Sequence, residues 1–564
     1  MLLLGLLSPL VSHAQFDYTT NADNTLTITG YYGTNADVVI PPALNGLPVT
    51  VIGDGAFYRL CNVSNVSISY GIGSIGEGAF EDATNLATIT IADSITNISM
   101  AAFWGCGLTN VFIPGSVENV DNAAFYECSR LVTVIISNGV ANLGRDAFYG
   151  CSMLSQVSVP ASVTNAGPYA FFNCTNMGAI FVDPQNSYYS SLDGIFFDKS
   201  QTNLFQFPEK RGGSYEIPPQ VSIIQPFAFA YSADLTNVII PTNVTSVPDS
   251  AFFECVSLAV APIPASVTNI GGSSFENCSR LMTVVLPDSV RTIGAYAFAF
   301  CGDLTNITIS TNVTLIEDGT FYNCSNLLEV MIPDSVTSIG TGAFFECSSL
   351  TNAALPGSLT NIGDYSFSSC PLAQIQIPSN LNTIGAFAFE SCAETNLIIP
   401  ANVISISNGA FDESSGLVSV TILGSGIEIG PDAFFGCESL VSLFVAGDAP
   451  ILGPSAFAYD TSATAFYLVG TSGWNEFTES SGVPAVLWNP LIQTSDGSFG
   501  VRNNQFGFDV TGTADIPIVV EACTNLANPV WIPLQSLTLT NGLFYFSDLQ
   551  WTNYPARYYR ISSP

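Results

Sequence analysis

The chain has 564 residues and a net charge of −34, with 48% apolar and only 10% charged residues. Two lysines and nine arginines make no basic stripe, which excludes nucleic-acid binding by phosphate neutralisation and disfavours adsorption to anionic lipid. The apolar content excludes a disordered chain, and the length excludes one ordinary core unless the structure grows along an axis.

Residues 1–14 form an apolar run ending in Ser12-x-Ala14, which resembles the core and cleavage site of a secretory signal peptide without its usual basic start. His13, the sole histidine, lies in that run. Its removal would leave no Ser-His or Cys-His catalysis and no His-based metal site. No other stretch approaches the ~18 uninterrupted apolar residues of a membrane span. The mature chain is therefore expected to have no transmembrane segment and to be secreted or held at the cell surface.

Residues 15–50 are rich in Thr, Asn and Gly, and the alternation in Thr25–Thr29 and Val38–Ile40 predicts an N-terminal β cap. Residues 51–469 carry an internal repeat. Its markers are Phe57, Phe80, Phe103, Phe125, Phe148, Phe171, Phe229, Phe252, Phe275, Phe298, Phe321, Phe344, Phe367, Phe389, Phe411, Phe434 and Phe457. The steps are 22 or 23 residues, with one of 58 between Phe171 and Phe229. A period in this range marks a solenoid, whose unit buries its apolar face only against neighbouring units.

The unit from Leu131 to Cys151 shows the logic. Val134 and Ile136 alternate inward on a short strand, Val140 and Leu143 fill the next side, and Ala147-Phe148 turns the corner. Proline after the strand (Pro287, Pro333) ends the ladder, and glycine after the second apolar pair (Gly144, Gly294, Gly340) suggests a corner of positive φ. The recurring Leu-x-x-Val-x-Ile-Pro, Val-x-x-Ile-Gly and Ala-Phe-x-x-Cys segments resemble BspA/Treponema-type leucine-rich repeats over about residues 50–469. The resemblance implies a mainly β, right-handed solenoid of about 17 coils, with a parallel sheet on one side and a role in adhesion or recognition.

The long step contains two alternating runs around Asp198–Asn203, read as a β-hairpin insertion at about 183–218. It carries Lys199, Lys210 and Arg211, which are candidate insertion contacts. Residues 470–498 read as a C-terminal cap and linker. Residues 499–564 lose the period and show short alternating runs, predicting a small β-sandwich-like module.

Twelve of the fourteen cysteines stand three residues after a repeat phenylalanine: Cys106, Cys128, Cys151, Cys174, Cys255, Cys278, Cys301, Cys324, Cys347, Cys370, Cys392 and Cys437. Equivalent sites in successive coils stack with side chains parallel, which is poor geometry for disulfides. They are expected to form a buried structural ladder of small apolar side chains. No Cys-x-x-Cys pair, calcium loop, phosphate loop or dinucleotide fingerprint occurs, and no acid pair stands out among the 45 Asp and Glu. No catalytic residue, cofactor or metal is therefore assigned, and the chain is not expected to be an enzyme.

One residue per strand points outward, and these form a column that includes Thr90, Phe112, Ile135, Ser158, Phe181, Ile239, Val285, Met331, Ile398 and Phe444. Phe112, Ile135, Phe181 and Ile239 are the candidate contact patch, because exposed apolar runs mark interaction sites. The expected function is non-catalytic binding of a protein or glycan partner by a monomer. A structural spacer displaying its C-terminal module is the alternative, and a carbohydrate-active enzyme is a more distant one.

Overall fold

A computed structural model describes residues 15–502 and 504–562; the signal-like segment 1–14, with His13, lies outside the described residues. The chain divides into two compact units, Met1–Leu304 and Thr305–Pro564. Both are built mainly from the same coil.

In the first unit, Phe16–Thr20 pairs antiparallel with Leu26–Tyr31, which then runs parallel to Leu47–Ile52 and sets the direction of the coils. Each coil gives one residue stretch to each of two parallel ladders. Asn110–Ile113 lies beside Thr133–Ile136, and Asn119–Val120 beside Asn142–Leu143. The inward residues of these strands are fully buried, so β-branched side chains fill a core that runs along the stack.

The corner has its own backbone. Two residues before and two residues after each of the seventeen phenylalanines, φ is positive; around Phe148 these are Asp146 at 56° and Gly150 at 70°. Alternating handedness aims every second N–H along the stack. Asp146, Phe148 and Gly150 donate to the carbonyls of Pro168, Ala170 and Phe172 in the next coil at 3.1, 2.8 and 2.9 Å. Most of these positions are not glycine, at a steric cost of roughly 1–2 kcal/mol each. The inter-coil hydrogen bonds and the ring column offset that cost.

Consecutive rings lie face to face, from 4.8 Å between the centroids of Phe57 and Phe80 to 5.6 Å between Phe148 and Phe171. Tyr31 covers the first ring at 5.6 Å. The glycines after the second apolar pair have a different reason from the one expected. Gly144 and Gly340 are not at positive φ. A Cβ on Gly144 would stand 2.5 Å from the backbone nitrogen of Asn122, and one on Gly340 2.7 Å from that of Asp318. Close approach of the preceding coil excludes a side chain there.

The insertion is more than the expected hairpin. Tyr189–Leu192, Ile195–Asp198 and Asn203–Gln206 form an antiparallel meander. Its first turn is Asp193-Gly194, both at positive φ, which is the two-residue turn that Asp-Gly favours. The third strand then runs parallel to Ile223–Ile224, and Gly213–Glu216 runs parallel to Leu235–Ile239, so the chain returns to the stack. Phe207, between them, stacks on Phe229 at 5.1 Å and donates its N–H to Ala228 at 2.7 Å. It is an eighteenth repeat ring inside the long step.

In the second unit the rings from Phe321 to Phe457 stack at similar spacing; Phe434 and Phe457 lie 5.2 Å apart. A short helix, Trp474–Ser481, ends the stack by placing Phe477 against Phe457 at 6.1 Å. Residues 470–498 thus hold a helix, and Ala485–Leu487 continues the coil ladder beside Thr464–Tyr467. The C-terminal residues form two antiparallel sheets. One joins Leu491–Ile492, Gly500–Arg502, Gln505–Thr511 and Leu543–Asp548, and the other joins Ile532–Thr538, Pro517–Cys523 and Tyr558–Ser562. Their core takes in Phe444 and Phe466 of the last coils together with Phe508, Val510, Ile518 and Phe546. No helix among the described residues is long and apolar enough to cross a membrane.

Candidate binding surface

The ladder position three residues after each ring is interior. The repeat cysteines are buried and free of disulfides, and Cys61 is the exposed cysteine. Their thiols are more than small apolar groups. Cys106 donates to the carbonyl of Phe80 at 2.9 Å, Cys255 to Phe229 at 3.0 Å and Cys437 to Phe411 at 3.3 Å, each in the preceding coil. Where the repeat has Ser414 instead, its hydroxyl makes the same bond to Phe389 at 3.1 Å. Ser232, at the same position after Phe229, is buried without such a bond and Ala83 takes the place after Phe80, so the position holds a small side chain that is in most coils a donor. Burial pushes the thiols up, Cys128 to about 12, so they are poor nucleophiles.

The strand face is where the coil can meet a partner. Phe112 and Ile135 are register partners on adjacent parallel strands, 51% and 55% exposed. Phe181, 46% exposed, pairs with Ser158 on the next strand pair, so serine separates it from Ile135. Ile239, 43% exposed, stands beyond the insertion, with Glu216 as its register partner. The structure brings the first two together and leaves the others apart. Phe444 is a correction: alternation places it outward, but it is only 6% exposed, because Phe466 stacks on it at 5.0 Å and the C-terminal sheets cover both.

The insertion cations do not converge. Lys199 donates to the carbonyl of Pro184 at 3.0 Å, and Lys210 pairs with Asp234 at 2.9 Å. Arg211 donates to the carbonyl of Asp193 and lies 5.9 Å from the Phe207 ring centre.

Over four successive coils a second aromatic file, Trp104, Tyr126, Tyr149 and Phe172, follows the buried one at the residue after the ring. Trp104 and Tyr126 lie 4.5 Å apart, and Tyr126 and Tyr149 stack at 4.6 Å with planes 6° apart. Their faces cover each other and leave edges to solvent, so the stacked pair offers no bare face to a sugar. The signal was in the sequence, one residue after the marker. Beside the insertion a cleft of about 220 Å³ is lined by Tyr169, Phe172, Phe196, Phe205, Gln206 and Phe227. No group of His, Cys, Asp or Glu among the described residues is arranged to hold a metal ion.

A family model, BspA type Leucine rich repeat region (6 copies), matches residues 50–178, 201–327, 314–441 and 382–481. The chain belongs to this family. The matched spans include every repeat phenylalanine, so the BspA-type coil accounts for the ring column, the inward strands and the thiol ladder together. No curated protein matches the chain. Among solved structures it is similar to a leucine-rich repeat protein from Eubacterium ventriosum, at 22% identity over 68% of this chain and 94% of that one, with a TM-score of 0.47. A leucine rich cell surface protein from Faecalibacterium prausnitzii matches at 26% identity over 63% of this chain and 91% of that one, TM-score 0.39. A leucine-rich repeat protein from Bacteroides ovatus matches at 22% identity over 80% and 98%, TM-score 0.41.

Proposed function

We propose that this BspA-type repeat protein is secreted or displayed at the cell surface and binds a partner, without catalysis, through its strand face. The observation that carries the reading is the adjacent pair Phe112 and Ile135, two large apolar side chains half exposed on a rigid parallel ladder. A preformed surface loses little freedom on binding, so its apolar area contributes to affinity with few ordering costs. The adjacent pair Phe112 and Ile135 offers no hydrogen-bonding side-chain groups, which favours a protein partner with an apolar patch over a glycan. A spacer that displays its C-terminal module is less favoured, since that module shares a core with Phe444 and Phe466 instead of hanging on a free linker.

The test is a protein and glycan array probed with the full chain. Signals on protein spots that survive moderate salt are expected. Only weak signals abolished by salt would sink the reading, and clearance of a polysaccharide panel by the purified chain would overturn the non-catalytic part.

A further inference from the structure

At the insertion the stack loses one large side chain and one rung. Ala166 is the register partner of Leu143, at the inward position of the second ladder. The other coils from Ile75 to Leu452 have Ile, Leu or Val at this place, and Ala166 alone is small. The ladder also stops at this strand. Asn165–Ala166 pairs only with the preceding coil, and pairing resumes between Asn203–Gln206 and Ile223–Ile224. Leu143 and Leu204 are fully buried, whereas Ala166 is half-buried. The missing side-chain volume and the missing rung together open the aromatic cleft of about 220 Å³, which Ala166 lines.

The walls are rings that meet edge to face. Phe227 stands 5.2 Å from Tyr169 with planes 87° apart, and 5.2 Å from Phe172 with planes 74° apart. Phe196 and Phe205, 5.3 Å apart, come from the meander. No charged side chain lines the cleft among the described residues. Arg145, 5.6 Å from the Tyr169 ring centre, is not part of the lining and is paired with Asp146 at 3.2 Å. The amide nitrogens of Gln206 and Gln225 are held by the Phe171 carbonyl at 2.9 Å and the Asn203 side chain at 3.0 Å. The backbone N–H of Tyr169 is left over. Its equivalent one coil earlier, on Asp146, donates to the carbonyl of Pro168 at 3.1 Å, but the insertion replaces the next corner and Tyr169 has no acceptor among the described residues.

We propose that this cleft binds one neutral aromatic ring bearing a carbonyl group, with the ring among Tyr169, Phe172, Phe205 and Phe227 and the carbonyl on the N–H of Tyr169. An apolar cavity of about 150 Å³ takes up one benzene ring, so the volume here suits a ring and one small polar group. Aromatic walls favour a further ring in edge or offset contact. A peptide carbonyl is what this N–H holds in the neighbouring coil, and an equivalent oxygen on the ligand satisfies it. A charged ring compound would lose hydration and find no counter-charge among the lining residues. The shared chemistry has two sources, a free small molecule or an aromatic side chain with its own main-chain carbonyl. The site uses none of the strand-face residues, so it stands or falls separately from the contact at Phe112 and Ile135.

The experiment is a ligand-observed NMR titration of the full chain with benzamide and with N-acetylphenylalaninamide, using benzoate and benzylamine as charged controls at moderate salt. The proposal expects saturable binding of the neutral probes, about tenfold or more tighter than either charged one. Tighter benzamide assigns the cleft to a free molecule and tighter N-acetylphenylalaninamide to a partner's side chain; either order supports the site. Ala166→Ile restores the residue type of the other coils and fills the cleft, so it should weaken binding about tenfold or more at an equal or higher Tm. Phe227→Asn removes one wall with a residue that suits the φ of 60° there, and it should weaken binding likewise. A folding defect in one variant therefore leaves the other to decide. No saturable binding of the neutral probes, equal binding of the charged ones, or undiminished binding by a folded variant would overturn the proposal.

Discussion

At the residue scale the coil is specified by donors as much as by volume. The thiol ladder predicts that Cys278→Ser changes stability by less than about 1 kcal/mol, because Ser414 already fills the same position. Cys278→Ala should cost about 1–3 kcal/mol through a lost donor and a small cavity, read by chemical denaturation. The last coil tests the rule in reverse. Asp460 takes the cysteine position at the end of the stack, buried, with neither oxygen partnered among the described residues and its pKa pushed up by burial to about 8. A carboxyl whose folded pKa lies above its unfolded value holds more protons when folded, so stability falls as pH rises between the two values. Asp460→Cys should therefore raise Tm, with a gain that grows from about pH 4 to pH 8. Asp412, lifted to about 6 by burial and then by Glu390, Glu413 and Asp432, adds to the same slope. A Tm that rises from pH 5 to pH 8.5 would contradict this assignment.

At the scale of elements, the marker spacing made most of the coil legible: the register, the inward strand residues and the buried site of the thiols all follow from a period of 22 or 23. Phe207 was missed because its context is Gln206-Phe207-Pro208-Glu209 instead of Ala-Phe-x-x-Cys, so a ring that completes the column looked like part of a loop. Phe207→Ala should cost about 3–5 kcal/mol, whereas the same change at the half-buried Phe205 should cost clearly less, measured by denaturant unfolding. The glycines were found for the wrong reason: local sequence shows a small residue but not the backbone of the preceding coil that excludes a Cβ. Gly144→Ala should destabilise by about 1–3 kcal/mol, despite its ordinary φ. The helix Trp474–Ser481 lies between two left-handed glycines, Gly473 and Gly482, and its eight residues are too few to show a helical period.

At the scale of the whole molecule, alternation told which strand residues leave the core but not which of them another part of the chain covers. Phe112 and Phe444 occupy the same position in the repeat, and the stacked Phe466 with the C-terminal sheets makes the second interior while the first stays exposed. The charge distribution was legible in full: residues 292–501 contain no lysine, arginine or histidine. Such a surface repels anions, and the proposed contacts are apolar strand-face residues outside that region. The central claim is that Phe112 and Ile135 are the contact. Its most direct test is the affinity of the Phe112→Ser, Ile135→Ser double variant for protein partners found with the unaltered chain, with Tm measured alongside. The account predicts at least tenfold weaker binding at an unchanged Tm. Undiminished binding by the variant, or loss of binding only together with loss of folding, would contradict it.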